Sequence, residues 1–440
     1  MKRFLLLNSP IFWNKTAEKE QYLSPLGLAY IATYLDKAGI NAELLDCVKK
    51  EMSVEDILEY IKENSPDYLG INIFTENYEI VKHIIEEVDI SCECFIGGQV
   101  VKCIYKDIMS WNSKNLLNIV MGEGEFIIPA IVLGICSEKP ILCNDNSKVY
   151  KVDKQSNYYP ENISELELNR IFIPDEVVIN HYGEKECAIV TSRGCMFNCA
   201  FCGGASSLNK DITTRIRDEK SVTKEINDIL DIYPDVQSIR ILDDLFLRNG
   251  TSVDMAYNIF ANHPNLRWRG MVHALSLIRS LDKTGKLRDS NCSELFMGIE
   301  SGSEMIRKKI NKLGSKEDII KVVREILRVG IDLKGYFIYG FPQETEEDFK
   351  ETYDLAMKLK DVSDACEGNF RTSVFQFKPY QGTQLYDEII KSTGIIHKAQ
   401  VNQEISRFAG RTQFNVSFGN YSATSDEILN EYIIRTQEIS

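Results

Sequence analysis

Short apolar runs alternate with longer amphipathic stretches from residue 3 to about residue 150, and this alternation restricts the chain to few folds. Parallel strands need long crossovers that are usually helices, so the pattern predicts βα units in a doubly wound α/β sheet. Ser24 as N-cap, Pro25 in the first turn and Gly39 at the end predict one of the helices. The predicted strands are residues 3–8, 41–46, 68–73, 94–98 and 118–122.

A second alternating series follows residue 180 and contains two long amphipathic segments, 219–231 and 316–329. Its six βα units predict a partial (β/α)6 barrel, which stays open because closure of the usual parallel barrel takes eight strands. The predicted strands are residues 187–192, 237–242, 266–272, 294–299, 333–339 and 372–377.

The two series predict how the chain divides into domains, and 440 residues suffice for two or three cores. We expect a Rossmann-like domain over residues 1–143 and a linker over 144–180, which has no apolar period and contains Pro160 and Pro174. The partial barrel is expected over 181–395, followed by a short extension over 396–440 with a helix near 424–438.

Composition narrows the classes of partner and compartment. The net charge of −14 argues against nucleic acid or an anionic membrane as the main partner and favours a small molecule or a peptide. No apolar run approaches the roughly eighteen residues of a membrane span, and the run that ends before Asn8 is too short for a secretion signal. Twelve cysteines without such a signal indicate a reducing compartment, so a cytoplasmic location is expected.

Three of these cysteines share the loop RGCMFNCAFCGG, which directly follows the predicted strand 187–192. Parallel barrels build their active sites at the carboxyl ends of strands, and Cys195, Cys199 and Cys202 are expected there. A structural zinc ion needs four ligands, yet no second CxxC or histidine pair completes a set, and Cys187 falls within the strand. A disulfide would leave one thiol unexplained. Three thiolates suit a [4Fe-4S] cluster whose fourth iron has no protein ligand.

The spacing CxxxCxxC at the end of the first strand of a partial barrel resembles the radical S-adenosylmethionine (radical SAM) superfamily. The resemblance implies that the three thiolates hold the cluster and that SAM binds the open iron through its amino and carboxylate groups. It also implies that one-electron reduction cleaves SAM to a 5′-deoxyadenosyl radical. The implied SAM-binding residues are Phe201, Gly203, Asp243, Glu300 and Ser301, with Asp244 as a second acidic candidate.

Several of these residues also have a structural interpretation. Phe201 can pack within the loop, the two glycines at 203–204 can form a turn, and Ser301 with Ser303 can cap the next helix. The segments YGFPQET (339–345) and KPYQGT (378–383) resemble elements that shape the rim of the family's barrel. The sequence identifies no catalytic proton donor or acceptor.

The first domain has no GxGxxG after its first strand and no GxxxxGK followed by Ser or Thr, which disfavours NAD and ATP. The ordered segments 24–39, 71–80, 95–100 and 121–125 instead resemble the cobalamin-binding domain that precedes many radical SAM cores. The DxHxxG motif is absent, so cobalamin is expected without a histidine ligand from the protein, and His83 receives no role. The implied cobalamin-binding residues are Ser24 and Leu26 at the start of the first helix, and Thr75, Gly97, Gly98, Gly122, Glu123 and Gly124 after three strand ends.

Together the two resemblances imply a cobalamin-dependent radical SAM enzyme. The leading hypothesis is a methyltransferase that acts on an unactivated carbon, or more rarely phosphorus, of a small molecule or peptide through methylcobalamin and the adenosyl radical. One alternative is a radical rearrangement, cyclisation or oxidation, and another is a non-enzymatic iron–sulfur binding or sensor protein. An electron donor such as a flavodoxin or ferredoxin is the expected protein partner. Tyr336, Tyr339 and Tyr380 are candidate lining or proton-donor residues, although aromatic residues at strand ends are at least as often packing residues.

Overall fold

The computed structural model describes residues 2–11, 22–394, 400–401 and 416–439, which fall into two compact units. The first unit extends to Glu176 and includes Asp211–Thr213 and Tyr380–Gly382. The second contains Val177–Lys210, Thr214–Pro379 and the described residues from Thr383 onward. Among the helices of the described residues, none has both the length and the apolar composition needed to cross a bilayer.

The first unit is an α/β domain. Its strands in the described residues are β1 (Arg3–Asn8), β2 (Asn41–Asp46), β3 (Tyr68–Asn72), β4 (Glu93–Gly97), β5 (Leu116–Met121), β6 (Leu142–Cys143) and β7 (Ser147–Lys151). Its helices there are α1 (Leu26–Lys37), α2 (Val54–Asn64), α3 (Tyr78–Glu87), α4 (Val101–Ile108) and α5 (Ile127–Val132). The strand order is β2-β1-β3-β4-β5-β7-β6, and β6 is the antiparallel strand at one edge.

Strand β1 shows that this sheet is covered on both faces. Leu5 and Leu7 pack in one apolar cluster with residues of α2, α3 and α4, whereas Phe4 and Leu6 pack in another with residues of α1 and α5. Successive side chains of a strand point to opposite faces, so the continuous apolar run reflects burial on both sides. The structure confirms the predicted doubly wound sheet.

Strand β7 lies within the segment 144–180 that the sequence predicts to be a linker. It pairs in parallel with β5, and its Val149 and Tyr150 are buried on the two faces of the first sheet. The prediction of a segment without regular structure is therefore wrong for residues 147–151. Polar residues on both sides of this short strand hide its two buried positions from a periodicity analysis.

The second unit is the half barrel. Its strands in the described residues are β8 (Val178–Ile179), β9 (Lys185–Ile189), β10 (Ser192–Arg193), β11 (Arg215–Ile216), β12 (Ser238–Ile241), β13 (Arg267–Val272), β14 (Cys292–Glu300), β15 (Asp332–Tyr339), β16 (Phe370–Gln376), β17 (Gln400–Val401) and β18 (Val416–Ser417). Its helices there are α6 (Glu219–Ile232), α7 (Gly250–Phe260), α8 (Ala274–Leu277), α9 (Thr284–Asp289), α10 (Glu304–Lys309), α11 (Lys316–Arg328), α12 (Glu346–Ser363), α13 (Gln384–Thr393) and α14 (Asp426–Gln437).

The main sheet of this unit has the order β16-β15-β14-β13-β12-β9-β8. The strands from β9 to β16 in this order pair in parallel, and β8 adds an antiparallel edge. The sheet curls into an open half barrel, as the six predicted βα units indicate.

Helix α14 confirms the predicted helix near 424–438 and packs against the half barrel. Thr372 Oγ1 of β16 donates to the carbonyl oxygen of Thr436 at 2.7 Å, and the hydroxyl groups of Tyr339 and Thr436 are 2.7 Å apart. Tyr339 is fully buried in the apolar core. Tyr339 is therefore a packing residue, which is one of the two roles that the sequence leaves open for it.

Charged side chains cross the concave face of the half barrel. Arg269 of β13 donates to both carboxylate oxygens of Glu186 on β9, at 2.8 and 2.5 Å, and to Glu294 of β14 at 3.0 Å. Arg371 of β16 donates to the other oxygen of Glu294 at 2.6 Å. Burial opposes ionisation of Glu294, yet Arg371 and Arg269 hold its pKa below the ordinary value. These pairs pass over the intervening strands β12 and β15, which places them inside the curl.

We predict that replacing Arg269 with Met destabilises the half barrel, because Glu186 and Glu294 then remain buried without their shared counterion. Breaking a buried ion pair in this way costs about 3–5 kcal/mol. Urea unfolding followed by circular dichroism measures the change. Lys224→Met is the control, since Lys224 pairs with Asp228 on an exposed helix face and its loss costs less than about 1 kcal/mol. Equal effects of the two variants would contradict the prediction.

Candidate active site

The cysteine loop begins beyond the carboxyl end of β9, where the sequence places it. Cys195, Cys199 and Cys202 are free thiols, and burial raises the pKa of each, that of Cys202 to about 12. After burial, a lesser cause is the neighbouring thiols themselves: Cys195 raises the pKa of Cys199 and of Cys202, and Cys199 raises the pKa of Cys202. The backbone N–H of Gly204 donates to the sulfur of Cys202 at 3.3 Å.

This set of donors fits a cluster with an open iron. In a [4Fe-4S] cluster each thiolate binds a different iron. The three sulfur atoms therefore surround the cluster and do not all approach one metal ion. The described residues contain no group of three or more His, Cys, Asp or Glu side chains arranged around a single metal ion. Hydrogen bonds to the sulfurs tune such clusters, and Gly204 supplies one to Cys202.

Asp243 fixes the segment that leads into the cysteine loop. Its carboxylate accepts the backbone N–H groups of Thr191 and Ser192 at 2.7 and 3.0 Å and both of their hydroxyl groups at 2.6 Å. Arg248 lies 3.8 Å from the same carboxylate. The structure thus gives Asp243 a positioning role, and its predicted contact with SAM stays a prediction.

Asp244 is the acidic residue that faces the cysteine loop. A Cβ atom built on Gly204 would lie 3.5 Å from Oδ2 of Asp244 and 3.6 Å from the sulfur of Cys202. The side chain is exposed and makes no hydrogen bond or ion pair within the described part of the chain. Of the two neighbouring aspartates, Asp244 is therefore the one with a carboxylate available to a ligand.

Glu300 lies at the carboxyl end of β14 in a strained conformation, with a φ angle of +68°. Its Oε1 accepts from Lys312 at 3.0 Å, and both side chains are less than a tenth exposed. A Cβ atom on Gly298 would lie 2.2 Å from that oxygen, so the glycine makes room for the carboxylate. Lys312 is a site residue that the sequence does not reveal, because no motif surrounds it.

Ser301 belongs to a buried network behind the loop. Its hydroxyl lies 3.0 Å from that of Thr352 and accepts the N–H of Ser303 at 3.1 Å. Ser303 caps α10 and donates to Asp348 at 2.6 Å. The structural interpretation is confirmed for Ser303, and the SAM contact of Ser301 stays a prediction.

Phe201 packs against the rim segment 339–345. Its ring centroid is 5.6 Å from that of Phe341, which in turn is 5.2 Å from that of Phe377. The neighbouring Gly203 accepts a hydrogen bond from Asn209 at 3.0 Å through its carbonyl oxygen. The ring of Phe201 is only partly buried, so one part of it stays accessible for the predicted contact with adenine.

His273 supports the cysteine loop and is invisible to sequence reasoning, since it is isolated from any motif. Its ring stacks on that of Phe197 at 4.0 Å between centroids. Burial lowers the pKa of His273 to about 3, so the ring is neutral. Because Nδ1 accepts the N–H of Leu275 at 3.2 Å, the proton resides on Nε2. That nitrogen is buried without a partner in the described residues.

The predicted cobalamin-binding glycines lie at the carboxyl ends of strands in the first unit. Gly98 has a φ angle of +121°, and a Cβ atom there would lie 2.4 Å from the carbonyl oxygen of Ile73. Gly122 has a φ angle of +103° and approaches the carbonyl oxygen of Val152 to 2.2 Å by the same measure. These two glycines are required by backbone packing before any ligand is considered.

The other predicted residues surround the same strand ends. Thr75 and Leu26 are buried, Glu123 is partly exposed, and a Cβ atom on Gly124 would lie 2.7 Å from Ile128. The helix α1 begins at Leu26 with Pro25 at the cap and without a side-chain cap, so the prediction of Ser24 as N-cap is wrong. The restricted backbone of Pro25 sets this helix start instead.

Features at this edge fit a large ligand that is partly apolar and carries amide groups, as cobalamin does. Phe74 and Leu23 are exposed apolar residues, at 40% and 38%. Oδ1 of Asn72 is buried without a partner in the part of the chain that the structure describes. A Cβ atom on Gly97 would meet nothing closer than 3.9 Å. His83 lies in α3, on the following helix.

Two family models match the chain. The radical SAM superfamily matches residues 189–356, and the B12 binding domain matches residues 16–132. An uncharacterized methyltransferase of Pyrococcus horikoshii is 26% identical over 376 residues, which cover 83% of this chain and 78% of that protein. The cytidylyl-2-hydroxyethylphosphonate methyltransferase of Streptomyces wedmorensis is 24% identical, with the same shares of the two chains covered.

Solved structures of two other enzymes illustrate the shared fold. The cobalamin-dependent S-adenosylmethionine radical enzyme OxsB aligns with a TM-score of 0.66 and 16% identity over 96% of this chain, which spans 64% of that protein. The radical S-adenosylmethionine methyltransferase TsrM from Kitasatospora setae aligns with a TM-score of 0.66 and 16% identity over 92% of this chain and 79% of TsrM.

We predict that Cys199→Ala abolishes binding of the cluster, because two thiolates cannot hold three irons. Iron content after anaerobic reconstitution should fall from about four atoms per chain to near zero, and the broad visible absorbance should disappear. Cys143→Ser is the matched control, since Cys143 is an exposed thiol of the first unit. A Cys199→Ala protein that retains full iron content would refute the assignment.

Gly97 provides a direct test of the strand-end surface in the first unit. We predict that Gly97→Leu lowers the cobalamin retained after gel filtration about ten-fold or more, because the side chain fills space that the protein itself leaves open. The melting temperature of the cobalamin-free protein and the iron content should not change. Gly98 is unsuitable for this test because any side chain there meets the backbone of Ile73.

Gly285→Leu is the control for Gly97→Leu, because Gly285 also has open space around it and lies in the second unit. Equal cobalamin retention by the Gly97 and Gly285 variants would exclude Gly97 from the binding surface.

Proposed function

We propose that this chain, a radical SAM enzyme with an amino-terminal B12-binding domain, is a cobalamin-dependent methyltransferase. The two family matches bear out the expected cofactors, which are a [4Fe-4S] cluster, SAM and cobalamin. One observation carries the proposal of methyl transfer. A three-cysteine loop at the strand ends of a half barrel and a strand-end surface that fits cobalamin occur in the same chain. The named functions of the relatives in Pyrococcus and Streptomyces support it.

The chain's own residues hold and orient the reactants. Cys195, Cys199 and Cys202 hold the cluster, and Asp243 fixes the backbone that precedes them through its four hydrogen bonds. Glu300, restrained by Lys312, presents a carboxylate for the polar groups of SAM. When bound, the three cofactors supply an electron, a radical precursor and a methyl carrier.

Lys312 and Arg307 keep the end of β14 in place. The guanidinium of Arg307 donates to the carbonyl oxygens of Ile299 and Ser301 at 2.7 and 3.1 Å, on either side of Glu300. The strained φ angle of Glu300 is therefore held by bonds to its neighbours. A rigid carboxylate loses less conformational entropy when it binds SAM.

The substrate is an unactivated carbon or phosphorus centre of a small molecule or peptide. The Streptomyces relative is named for a phosphonate substrate, and the TsrM structure contains tryptophan, so relatives of one fold serve different substrates. A small iron–sulfur or flavin protein such as a ferredoxin or flavodoxin supplies electrons to the cluster.

Product analysis tests methyl transfer. The holoenzyme is incubated anaerobically with SAM bearing a deuterated methyl group, a one-electron reductant and a small-molecule extract of the source cells. We expect S-adenosylhomocysteine and 5′-deoxyadenosine to form together, and a product heavier by one deuterated methyl group, detected by mass spectrometry. Cys199→Ala should form none of these.

The other outcomes identify the alternatives. If substrate is consumed with 5′-deoxyadenosine but without S-adenosylhomocysteine, the reaction is a rearrangement, cyclisation or oxidation. A protein that binds the cluster and never cleaves SAM under strong reductant would be an iron–sulfur binding protein without this chemistry.

A further inference from the structure

Arg240 projects from β12 onto the concave face of the half barrel. Ser238, two residues earlier on the same strand, donates to Glu186 at 3.0 Å and so belongs to the concave face, and side chains two apart share a face. The guanidinium carbon of Arg240 lies 5.3 Å from the ring centroid of Phe296 on β14, across the intervening strand β13. The side chain is partly exposed, so the concave face leaves it accessible.

The carboxylates of Glu186 and Glu294 are held by other donors, and neither forms an ion pair with Arg240 within the described residues. Glu186 accepts from Arg269 through both oxygens and also from Ser238, and Glu294 accepts from Arg269 and Arg371. Within the described residues Arg240 makes no hydrogen bond and no ion pair. Its five N–H donors, arranged in a planar fork that matches carboxylate and phosphate, therefore have no protein acceptor there.

The surroundings of Arg240 combine positive charge with aromatic rings. Arg269 lies 5.4 Å from the same ring of Phe296, so two guanidinium groups share one aromatic neighbour. Phe296 stacks with Tyr336 at 6.2 Å, and Tyr336 lies 5.9 Å from Phe375. Small-molecule sites usually combine apolar and aromatic walls with a few convergent polar groups, and here aromatic rings border the guanidinium groups of Arg240 and Arg269.

We propose that Arg240 binds an anionic group of the substrate, a carboxylate or a phosphate, on the concave face of the half barrel. The proposal deepens the proposed function and rests on it for the identity of the ligand as substrate. Arg240 lies within β12 and Asp243 follows the end of that strand, so the anion site lies deeper in the half barrel than the edge that carries the cysteine loop.

The stability of variants separates this role from a structural one. An arginine that holds the fold together is paired, and its removal destabilises the protein, as expected for Arg269. A guanidinium that is partly removed from water and has no ion-pair partner costs free energy in the empty protein. Arg240→Met keeps the length and apolar stem of the side chain, so it should leave the melting temperature unchanged or raise it. Functional residues commonly show this conflict between stability and binding.

Anion binding is measured through thermal unfolding of the holoenzyme, because a ligand of the native state raises the melting temperature. Inorganic phosphate and acetate are titrated separately against chloride at constant ionic strength. We expect phosphate, acetate or both to raise the melting temperature of the native sequence beyond chloride. In Arg240→Met the apparent affinity should fall at least ten-fold. The comparison of phosphate with acetate identifies which acidic group is preferred.

Arg328→Met is the matched control for binding, since Arg328 is an exposed arginine paired with Glu325 on α11. Its response to phosphate and acetate should equal that of the native sequence. An unchanged response in Arg240→Met, or a fall in its melting temperature as large as that of Arg269→Met, would overturn the proposal. If anion binding depends on Arg240 but the protein forms no S-adenosylhomocysteine, the result would support the anion site and contradict methyl transfer.

Discussion

The buried ion pairs on the concave face of the half barrel organise the second unit. Arg269 joins Glu186 and Glu294, and Arg371 joins Glu294, so side chains from β9, β13, β14 and β16 are tied together across the strands between them. The carboxyl ends of these parallel strands lie along the same edge of the curled sheet. That edge carries the cysteine loop, Asp243 and Glu300. The same pairs engage both oxygens of Glu186 and of Glu294, and Arg240 makes no ion pair within the described part of the chain.

The fold is predictable from the sequence because each βα unit consists of a short apolar run followed by an amphipathic segment. The predicted strands of the doubly wound sheet and the half barrel match the observed ones to within about three residues, since buried parallel strands are short continuous apolar runs. Strand β7 was missed because it holds only two buried apolar positions between polar flanks. Helix α1 was placed correctly, but its start was assigned to Ser24 although Pro25 occupies the cap.

The sequence predicts residues of the site only where they belong to a recognisable motif. The three cysteines stand out in the sequence, and so does the acidic pair that ends β12, but the sequence cannot tell which aspartate faces inward to the backbone. The carboxylate of Asp243 accepts hydrogen bonds from Thr191 and Ser192, whereas Asp244 faces Gly204. His273 and Lys312 reach the site from loops that follow β13 and α10, and only the folded chain brings them to Phe197 and Glu300.

The resemblance to a family therefore identifies positions, but it does not distinguish residues that the fold requires from residues that contact a ligand. Gly98 and Gly122 are required by carbonyl oxygens within about 3 Å of where a Cβ would stand, and a ligand-free protein would need them as much as a cobalamin-binding one. Gly97 meets no such constraint, so a side chain there tests the binding surface without disturbing the packing of the chain. Arg240 obeys the same logic in the second unit. Such residues are not explained by the packing of the chain. They are therefore the positions at which we look for a ligand.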